Sequence, residues 1–338
     1  MTRRIDSLEA VRGLAAVAVL LVHSQVGGRG DGLLLYGWLG VPVFFVLSGL
    51  VLYLPFAGGA SIDAPAFWRR RLCRIFPGYW LVLAVTVAVV VAAGGSVSHL
   101  WQQASLYEFA PGGPTSASLI TPAWTLAVEL SFYLLLPLLV WVFVRRPMYR
   151  FGVLFAVATV ALLYRRATGG LFAPVAFADQ FVFGMVAAVL VVKGVRSRWL
   201  AVAAAAVVVA AGLTMHTGPE RFPFGEAFAF AVALALVPLA ARNPRVPRAL
   251  VWLGTISFGV YLWHTPVFWA LRSLGWTTWS WTLNTAVALT LTIGLAAASY
   301  RLVELPAIRW ARAPRLWRRR RPEQLPALSK EIATTQAG

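Results

Sequence analysis

The sequence predicts an all-α, polytopic membrane protein: a helix bundle of about ten transmembrane helices with both termini in the cytoplasm. The first observation is composition, since 59% of the 338 residues are hydrophobic and only 12% are charged. Soluble globular proteins carry about 25% charged residues, so the composition excludes an ordinary soluble domain. The second observation is the spacing of the apolar stretches, and the third is the distribution of arginine between them.

Ten apolar stretches approach the length of about 20 residues that a helix needs to cross a bilayer. The fifth and the seventh are short. Pro and Gly occur inside several of them, which membrane helices tolerate because neighbouring groups satisfy the interrupted backbone. The predicted spans are residues 12–29, 33–54, 75–93, 124–144, 151–164, 174–192, 199–214, 223–241, 249–270 and 282–303.

Basic residues alternate between the two sides of this array, loop by loop. Cytoplasmic loops of membrane proteins carry an excess of Lys and Arg. With a cytoplasmic N-terminus, the inside segments hold most of the 30 Lys and Arg residues, including the run from Arg69 to Arg74. Both termini then lie inside, and we expect a multi-pass protein of the plasma membrane. The outside segments hold only Arg29, Arg165, Arg166, Arg221 and Arg272.

The net charge of +18 comes from these membrane-flanking residues and from a basic C-terminal segment, so nucleic acid is not expected as a partner. Residues 310–338 are predicted to form a disordered cytoplasmic tail, whose "RLWRRRR" run favours anionic lipid headgroups. Cys73 is the single cysteine, and the four histidines lie far apart. No spacing typical of a metal site occurs, so neither a metal nor a tightly bound cofactor is expected.

Ionisable residues interrupt the apolar spans, and such residues are costly in a membrane and usually functional. His23 lies eleven residues after Arg12, about 16 Å along a helix. Eleven residues complete three turns plus about 20°, so both side chains can line one cavity. Glu129 in "WTLAVEL" lies about 10 Å from the outer surface, near the depth of His23. The pattern predicts a proton-transfer pair, the alternative for Glu129 being a structural bond to an Arg or to the backbone.

Further polar residues have both a functional and a structural interpretation. Tyr261 and His264 share a helix face, so His264 is either catalytic or a histidine bonded near an aromatic belt. The run from Arg69 to Arg74 either sets topology alone or forms a cytoplasmic anion site, because guanidinium groups bind phosphate in bidentate fashion. For Asp179 and Glu304 we expect structural pairing.

Six stretches, in this order, resemble the acyltransferase-3 family of integral membrane acyltransferases. Singly each motif is weak, but six in sequence are specific. The resemblance implies about ten transmembrane helices and transfer of acyl groups, commonly acetyl, to sugar hydroxyls. The stretches are "LEAVRGLAAVAVLLVHS", "GWLGVPVFFVLSGLVL", "RRRLCRIFPGYW", "WTLAVELSFYLLLP", "ISFGVYLWHTPV" and "SYRLVELP".

The resemblance also implies roles for single residues. His23 matches the essential histidine of the family's first helix, and Arg12 matches its upstream arginine. Arg71 and Arg74 match an R-x-x-R motif, and Glu129 matches the glutamate of a W-S/T-L-x-x-E motif. Residues 1–309 are accordingly the membrane-embedded acyltransferase domain.

One position departs from the family's pattern. Pro42 stands where many members have an acidic residue, so any role of that acid is absent here.

The predicted function is therefore a membrane O-acyltransferase that moves an acyl group, in most cases acetyl, from cytoplasmic acyl-CoA to a hydroxyl of a surface glycan or a glycosylated metabolite. Acyl-CoA would be a co-substrate, its phosphates held by Arg70, Arg71 and Arg74. His23 would act either as a general base or as a nucleophile that carries the acyl group. Glu129 would orient the imidazole or stabilise its charged form. Supporting residues would be Arg12, Tyr261 and His264.

A proton-coupled transporter is the alternative. Ten helices interrupted by Gly and Pro, with His and Glu near the midplane, also suit that class. Against it, the polar motifs of the first half do not recur in the second half, as they would in an inverted repeat.

Overall fold

The computed structural model of the chain describes residues 5–24, 32–107, 118–168, 174–214, 221–275 and 280–313. Within these ranges every regular element is helical and no strand occurs, which confirms the predicted all-α membrane bundle. Most of the predicted tail, from residue 314 onwards, lies outside the described residues.

The helices are numbered here in chain order. Short 3₁₀ segments lead into α2, α5, α6 and α7, and a π-helical turn, Tyr300–Glu304, joins the last two helices. The α-helices in the described ranges are α1 (Asp6–Ser24), α2 (Gly40–Tyr53), α3 (Ala64–Ala92), α4 (Leu100–Ser105), α5 (Trp124–Arg145), α6 (Arg150–Thr168), α7 (Ala178–Val192), α8 (Trp199–Thr214), α9 (Arg221–Arg242), α10 (Arg248–Ser273), α11 (Trp281–Ser299) and α12 (Leu305–Arg312).

All of these helices except the short α4 and α12 correspond, in order, to the ten predicted spans. Eight helical segments of the described chain are long and apolar enough to cross a membrane. The predicted seventh span, α8, is an apolar helix of 16 residues and stays short, as expected. The ninth, α10, is 26 residues long and includes several polar side chains, among them Ser257, Tyr261 and His264.

The third predicted span begins about three turns later than the helix does. The carboxylate of Asp63 accepts a hydrogen bond from the backbone N–H of Ala66 (3.1 Å), and Pro65 lies in the first turn, where no N–H is needed. This cap starts α3 at Ala64. The run from Arg69 to Arg74 therefore lies on a helix rather than in a loop, and residues three apart in it share one face.

Glycine allows α1 and α10 to pack backbone against backbone. A Cβ on Gly13 would lie 2.7 Å from the backbone nitrogen of Gly254, and a Cβ on Gly254 would meet the carbonyl oxygen of Glu9. Small residues at such crossings permit the close approach on which helix association in membranes depends. The α1–α10 pair carries His23 and His264, so this crossing positions both histidines.

One end of the bundle gathers the arginine-rich helix ends and is called the basic end below. The hydroxyl of Ser7, at the start of α1, donates to the side-chain oxygen of Asn243 (3.2 Å), just past α9. The Nε of Arg69, near the start of α3, donates to the carbonyl of Ala311 (3.2 Å) in α12. The contacts thus bring together helix ends that the charge pattern assigns to the cytoplasm.

Arg165 corrects one predicted boundary. The sequence places it in an outside loop after a span that ends at residue 164, but α6 continues past it and its side chain is 4% exposed. Its Nη2 lies 2.9 Å from Asp179 of α7 and 2.8 Å from Glu226 of α9. Two carboxylates thus offset the cost of burying the guanidinium. The structural pairing expected for Asp179 is confirmed.

Candidate active site

A narrow polar cavity lies between α1, α2, α3, α5 and α10, close to the basic end. It consists of two adjoining volumes of about 60 and 50 Å³, which together are called the inner cavity. Both volumes are lined by Arg12, Phe44, Ser48, Arg74, Glu129 and Tyr133.

Positive charge dominates the inner cavity. Arg12 and Arg74 line both volumes, and Arg71 lines the one nearer the basic end. Glu9 pairs with Arg12 at 3.6 Å. Glu129 interacts electrostatically with Arg12 and Arg71, and its Oε1 accepts a hydrogen bond from Ser48 (2.8 Å). Among the lining residues, three guanidinium groups therefore face two carboxylates, and the buried Glu304 outside the lining interacts with two of the three arginines. Guanidinium groups bind anions such as phosphate in bidentate fashion, which suits the lining to an anionic ligand.

The R-x-x-R spacing explains which arginines reach this cavity. Arg71 and Arg74 lie three residues apart on α3, so they share the face that lines it. The Nε of Arg71 is buried without a hydrogen-bond partner in the described structure, and its guanidinium lies 5.6 Å from the ring centre of Phe67. Arg70, predicted alongside them, is not among the residues that line the cavity.

Tyr261 of α10 closes the inner cavity on the side away from the basic end. Its hydroxyl accepts a hydrogen bond from Thr125 (3.0 Å) and donates one to the carbonyl of Pro122 (3.2 Å). Its ring lies 5.5 Å from that of Phe44 and 5.8 Å from that of His264. A buried, hydrogen-bonded ring therefore separates the arginines from the histidines.

His23 and His264 form an imidazole pair beyond Tyr261, with ring centres 4.9 Å apart. The Nδ1 of His23 lies 2.8 Å from the carbonyl oxygen of Val19. Because a carbonyl only accepts hydrogen bonds, Nδ1 must be the protonated nitrogen, and a neutral ring then carries its lone pair on Nε2. His264 is fully buried, and its Nε2 lies 3.3 Å from the hydroxyl of Thr265. The backbone of α1 thus prepares His23 as a proton acceptor or nucleophile.

A second, wider cavity adjoins His23 at the end of the bundle opposite the basic end and is called the outer cavity. Its volume is about 320 Å³, within the range of small-molecule sites. It is lined by His23, Thr86, Val90, Ser118, Leu119, Thr121, Thr265, Phe268, Trp269 and Arg272.

The structure separates two residues that the sequence pairs. Glu129 lines the inner cavity and His23 the outer one, so the carboxylate does not lie against the imidazole. Equal depth in the membrane does not decide lateral position. The ring of Tyr261 lines the inner cavity and lies against His264, the ring that contacts His23. For the same reason Arg12 and His23, predicted to line one cavity, line two.

Other residues of the site were not predicted from the sequence. Ser48 binds Glu129, and Tyr133 lies one turn after Glu129 on the same face of α5, a signal present in the four-residue spacing. Glu304, in the π-helical turn, is buried, accepts a hydrogen bond from Ser299 (2.8 Å) and interacts electrostatically with Arg74. The pairing expected for Glu304 is found, and it reaches the arginine cluster.

Comparison with known proteins decides the family. The sequence model described as "Acyltransferase domain" matches residues 5–301. The chain belongs to this acyltransferase family. No solved structure matches the chain significantly.

Relatives within the acyltransferase family carry several names. The exopolysaccharide production protein ExoZ of Rhizobium meliloti is 31% identical over 83% of this chain and 92% of its own length. Acyltransferase MdmB of Streptomyces mycarofaciens is 28% identical over 77% of this chain and 78% of its own. Peptidoglycan O-acetyltransferase OatA of Listeria monocytogenes is 24% identical over 78% of this chain. This chain spans about half of the length of OatA, 49%.

Proposed function

We propose that this protein is an O-acyltransferase of the plasma membrane that moves an acyl group, in most cases acetyl, from cytoplasmic acyl-CoA to a hydroxyl of a carbohydrate-containing acceptor. The observation that carries the proposal is the pair of cavities that flank one barrier. The arginine-lined inner cavity lies towards the basic end, and the outer cavity begins at His23. Relatives named as O-acetyltransferases support the same class of reaction.

The donor is proposed from the charge and shape of the inner cavity. Acyl-CoA is a polyanion with a thin, flexible arm that ends in the thioester. Arg71 and Arg74 are placed to hold its phosphates at the basic end, which the charge pattern orients to the cytoplasm. The arm would follow the narrow cavity past Glu129 to Tyr261, and transfer would require the ring of Tyr261 to turn aside so that the thioester reaches His23.

The acceptor hydroxyl is proposed to enter from the outer cavity. The Nε2 of His23 takes the hydroxyl proton as the oxygen attacks the thioester carbonyl. The C–S bond then breaks, and the leaving thiolate takes the proton from the imidazolium, which restores neutral His23 and releases CoA. In a two-step form, Nε2 itself attacks the thioester and CoA leaves as the thiolate. The acceptor oxygen then takes the acyl group from the ring, and its proton passes through the freed Nε2 to solvent or to the thiolate, which restores neutral His23. Both forms use the same lone pair, which the Nδ1 contact with Val19 leaves on Nε2.

Transfer of radiolabelled acetyl from acetyl-CoA tests the proposal, with the purified full chain in lipid nanodiscs and a panel of glycoside acceptors. The protein should label an acceptor, and His23→Ala should lower the rate by about 10²–10⁴-fold, the usual share of a general base. A protein that carries out transport alone would label none. The matched control is His99→Asn, which removes a histidine outside both cavities and keeps a residue type that tolerates the positive φ of 54° found there.

A second measurement separates the two forms of the step. The protein is mixed with labelled acetyl-CoA in the absence of acceptor, quenched and examined for bound label. Label bound to the unmodified chain but missing from His23→Ala shows that His23 carries the acyl group. If the unmodified chain carries no label, yet transfers acetyl once acceptor is added, His23 acts as a general base. Full activity of a folded His23→Ala protein would refute the proposed mechanism.

A further inference from the structure

One face of α10 lines the outer cavity over two helical turns. Thr265, Phe268, Trp269 and Arg272 follow the spacing i, i+3, i+4 and i+7, so they form a single stripe. The stripe starts next to His264, which contacts His23. Eight residues separate His264 from Arg272, a rise of about 12 Å. The outer cavity is therefore lined by His23, which contacts His264, and by a guanidinium about 12 Å further along α10.

The opposite wall of the outer cavity is held by buried hydrogen bonds. Gln103 of α4 is 2% exposed, and its side-chain oxygen accepts a hydrogen bond from the backbone N–H of Leu119 (3.1 Å). The hydroxyl of Tyr79 in α3 donates to the carbonyl of the same glutamine (2.7 Å). These bonds fix Ser118, Leu119 and Thr121 opposite α10, so the cavity is preformed.

The described residues that line the outer cavity carry charge of one sign. No Asp or Glu occurs among the described residues that line it, and Arg272 takes part in none of the ion pairs found between described residues. Its side chain is exposed. Besides His23, the remaining polar groups are the hydroxyls of Thr86, Ser118, Thr121 and Thr265, and Trp269 contributes a flat indole with one N–H. Hydroxyls, an aromatic face and one cation are the groups that bind an acidic sugar.

We propose that the outer cavity selects an acceptor sugar that carries a carboxylate, and that Arg272 is the residue that selects it. The guanidinium pairs with the carboxylate in bidentate fashion, the ring lies along Trp269, and a neighbouring hydroxyl reaches His23. This inference rests on the proposed function, since it names the acceptor class for the same reaction. The carboxylate comes either from a uronic acid or from an acidic ether substituent on the ring.

Matched pairs of acceptors test the inference with acetyl-CoA as donor. The first pair is para-nitrophenyl glucuronide and para-nitrophenyl glucoside, which differ only at C6. The second pair is the glucoside with and without a 3-O-carboxyethyl ether. We expect the full chain in nanodiscs to favour the charged member of one pair by roughly tenfold or more in kcat/KM, the effect of one charge-assisted hydrogen bond. The pair that shows the preference identifies the source of the carboxylate.

The variant Arg272→Gln should reduce this preference to about one, chiefly through KM for the charged acceptor, and Arg272→Lys should keep part of it. The matched control is Arg166→Gln, an exposed arginine near the same end of the bundle that does not line the outer cavity. The control should keep the full preference. The melting temperature of each variant is measured alongside, so that a loss of folding is recognised.

The outcomes separate this inference from the function on which it depends. Transfer to both members of each pair at equal kcat/KM overturns the carboxylate selection and leaves acyl transfer standing. A preference that survives in Arg272→Gln also overturns it, since the arginine then faces another anion such as a lipid phosphate. Absence of labelled product with every acceptor refutes the proposed function itself.

Discussion

Adding one methyl group at the crossing of α1 and α10 should impair stability and catalysis together. The Cβ of Gly13→Ala would lie 2.7 Å from the nitrogen of Gly254 and 3.0 Å from the carbonyl carbon of Leu253. Ordinary contacts begin at 3.4 Å, so the helices must separate by about 0.7 Å. The neighbouring atoms belong to the backbone and cannot rotate away. Overpacking of this kind costs about 1–3 kcal/mol.

The same displacement reaches the histidine pair. His23 lies on α1 and His264 on α10, and their ring centres are 4.9 Å apart. A misplacement of about 1 Å can lower a catalytic rate by about 10²-fold, so 0.7 Å should cost a large part of that. The assays are thermal unfolding in detergent and the initial rate of labelled acetyl transfer per folded protein. KM for acetyl-CoA should rise as well, because α1 and α10 both line the inner cavity and Arg12, next to Gly13, lines both of its volumes.

The matched control for Gly13→Ala is Gly152→Ala in α6, where an added Cβ has nothing within 4 Å. Within a helix that substitution should be neutral or stabilising by about 0.5–1 kcal/mol, because alanine loses less conformational freedom than glycine. If Gly13→Ala matches the wild-type melting temperature and rate, the backbone contact between α1 and α10 does not position the histidines, and the reasoning fails.

Three further substitutions have definite expected outcomes. Arg74→Ala should raise KM for acetyl-CoA roughly tenfold or more, the effect of one charged hydrogen bond, whereas Arg70→Ala should leave KM unchanged. Equal changes of KM in steady-state kinetics would contradict the proposal that the donor binds in the inner cavity. Asp179→Asn should destabilise the fold by about 3 kcal/mol, because the buried Arg165 loses one carboxylate and keeps only that of Glu226. An unchanged melting temperature would show that the Asp179–Arg165 pair contributes nothing to stability. Tyr261→Phe removes two buried hydrogen bonds and should lower the free energy of unfolding by about 1–2 kcal/mol. KM for acetyl-CoA should change little, and a rise in KM above tenfold would show that the hydroxyl contacts the donor.

Local patterns predicted the elements well, because they depend on short-range periodicity. The order of the helices, the short α8 and the shared face of Arg71 and Arg74 all follow from residue spacing and hydropathy. The predicted ends of helices were less accurate where a residue's partner lies far away in the sequence. The charge of Arg165 predicts a loop residue, but its ion pairs with Asp179 and Glu226, on two other helices, allow it to lie within α6.

The sequence by itself determined that this chain is a helical membrane protein, that it resembles one acyltransferase family, and that His23, Glu129 and the R-x-x-R pair belong to its polar interior. Only the tertiary structure decided which of them meet. Depth along a helix follows from the constant rise per residue, but the lateral position and rotation of each helix depend on packing with its neighbours. For that reason His23 pairs with His264 rather than with Glu129, and Tyr261 divides the site in two.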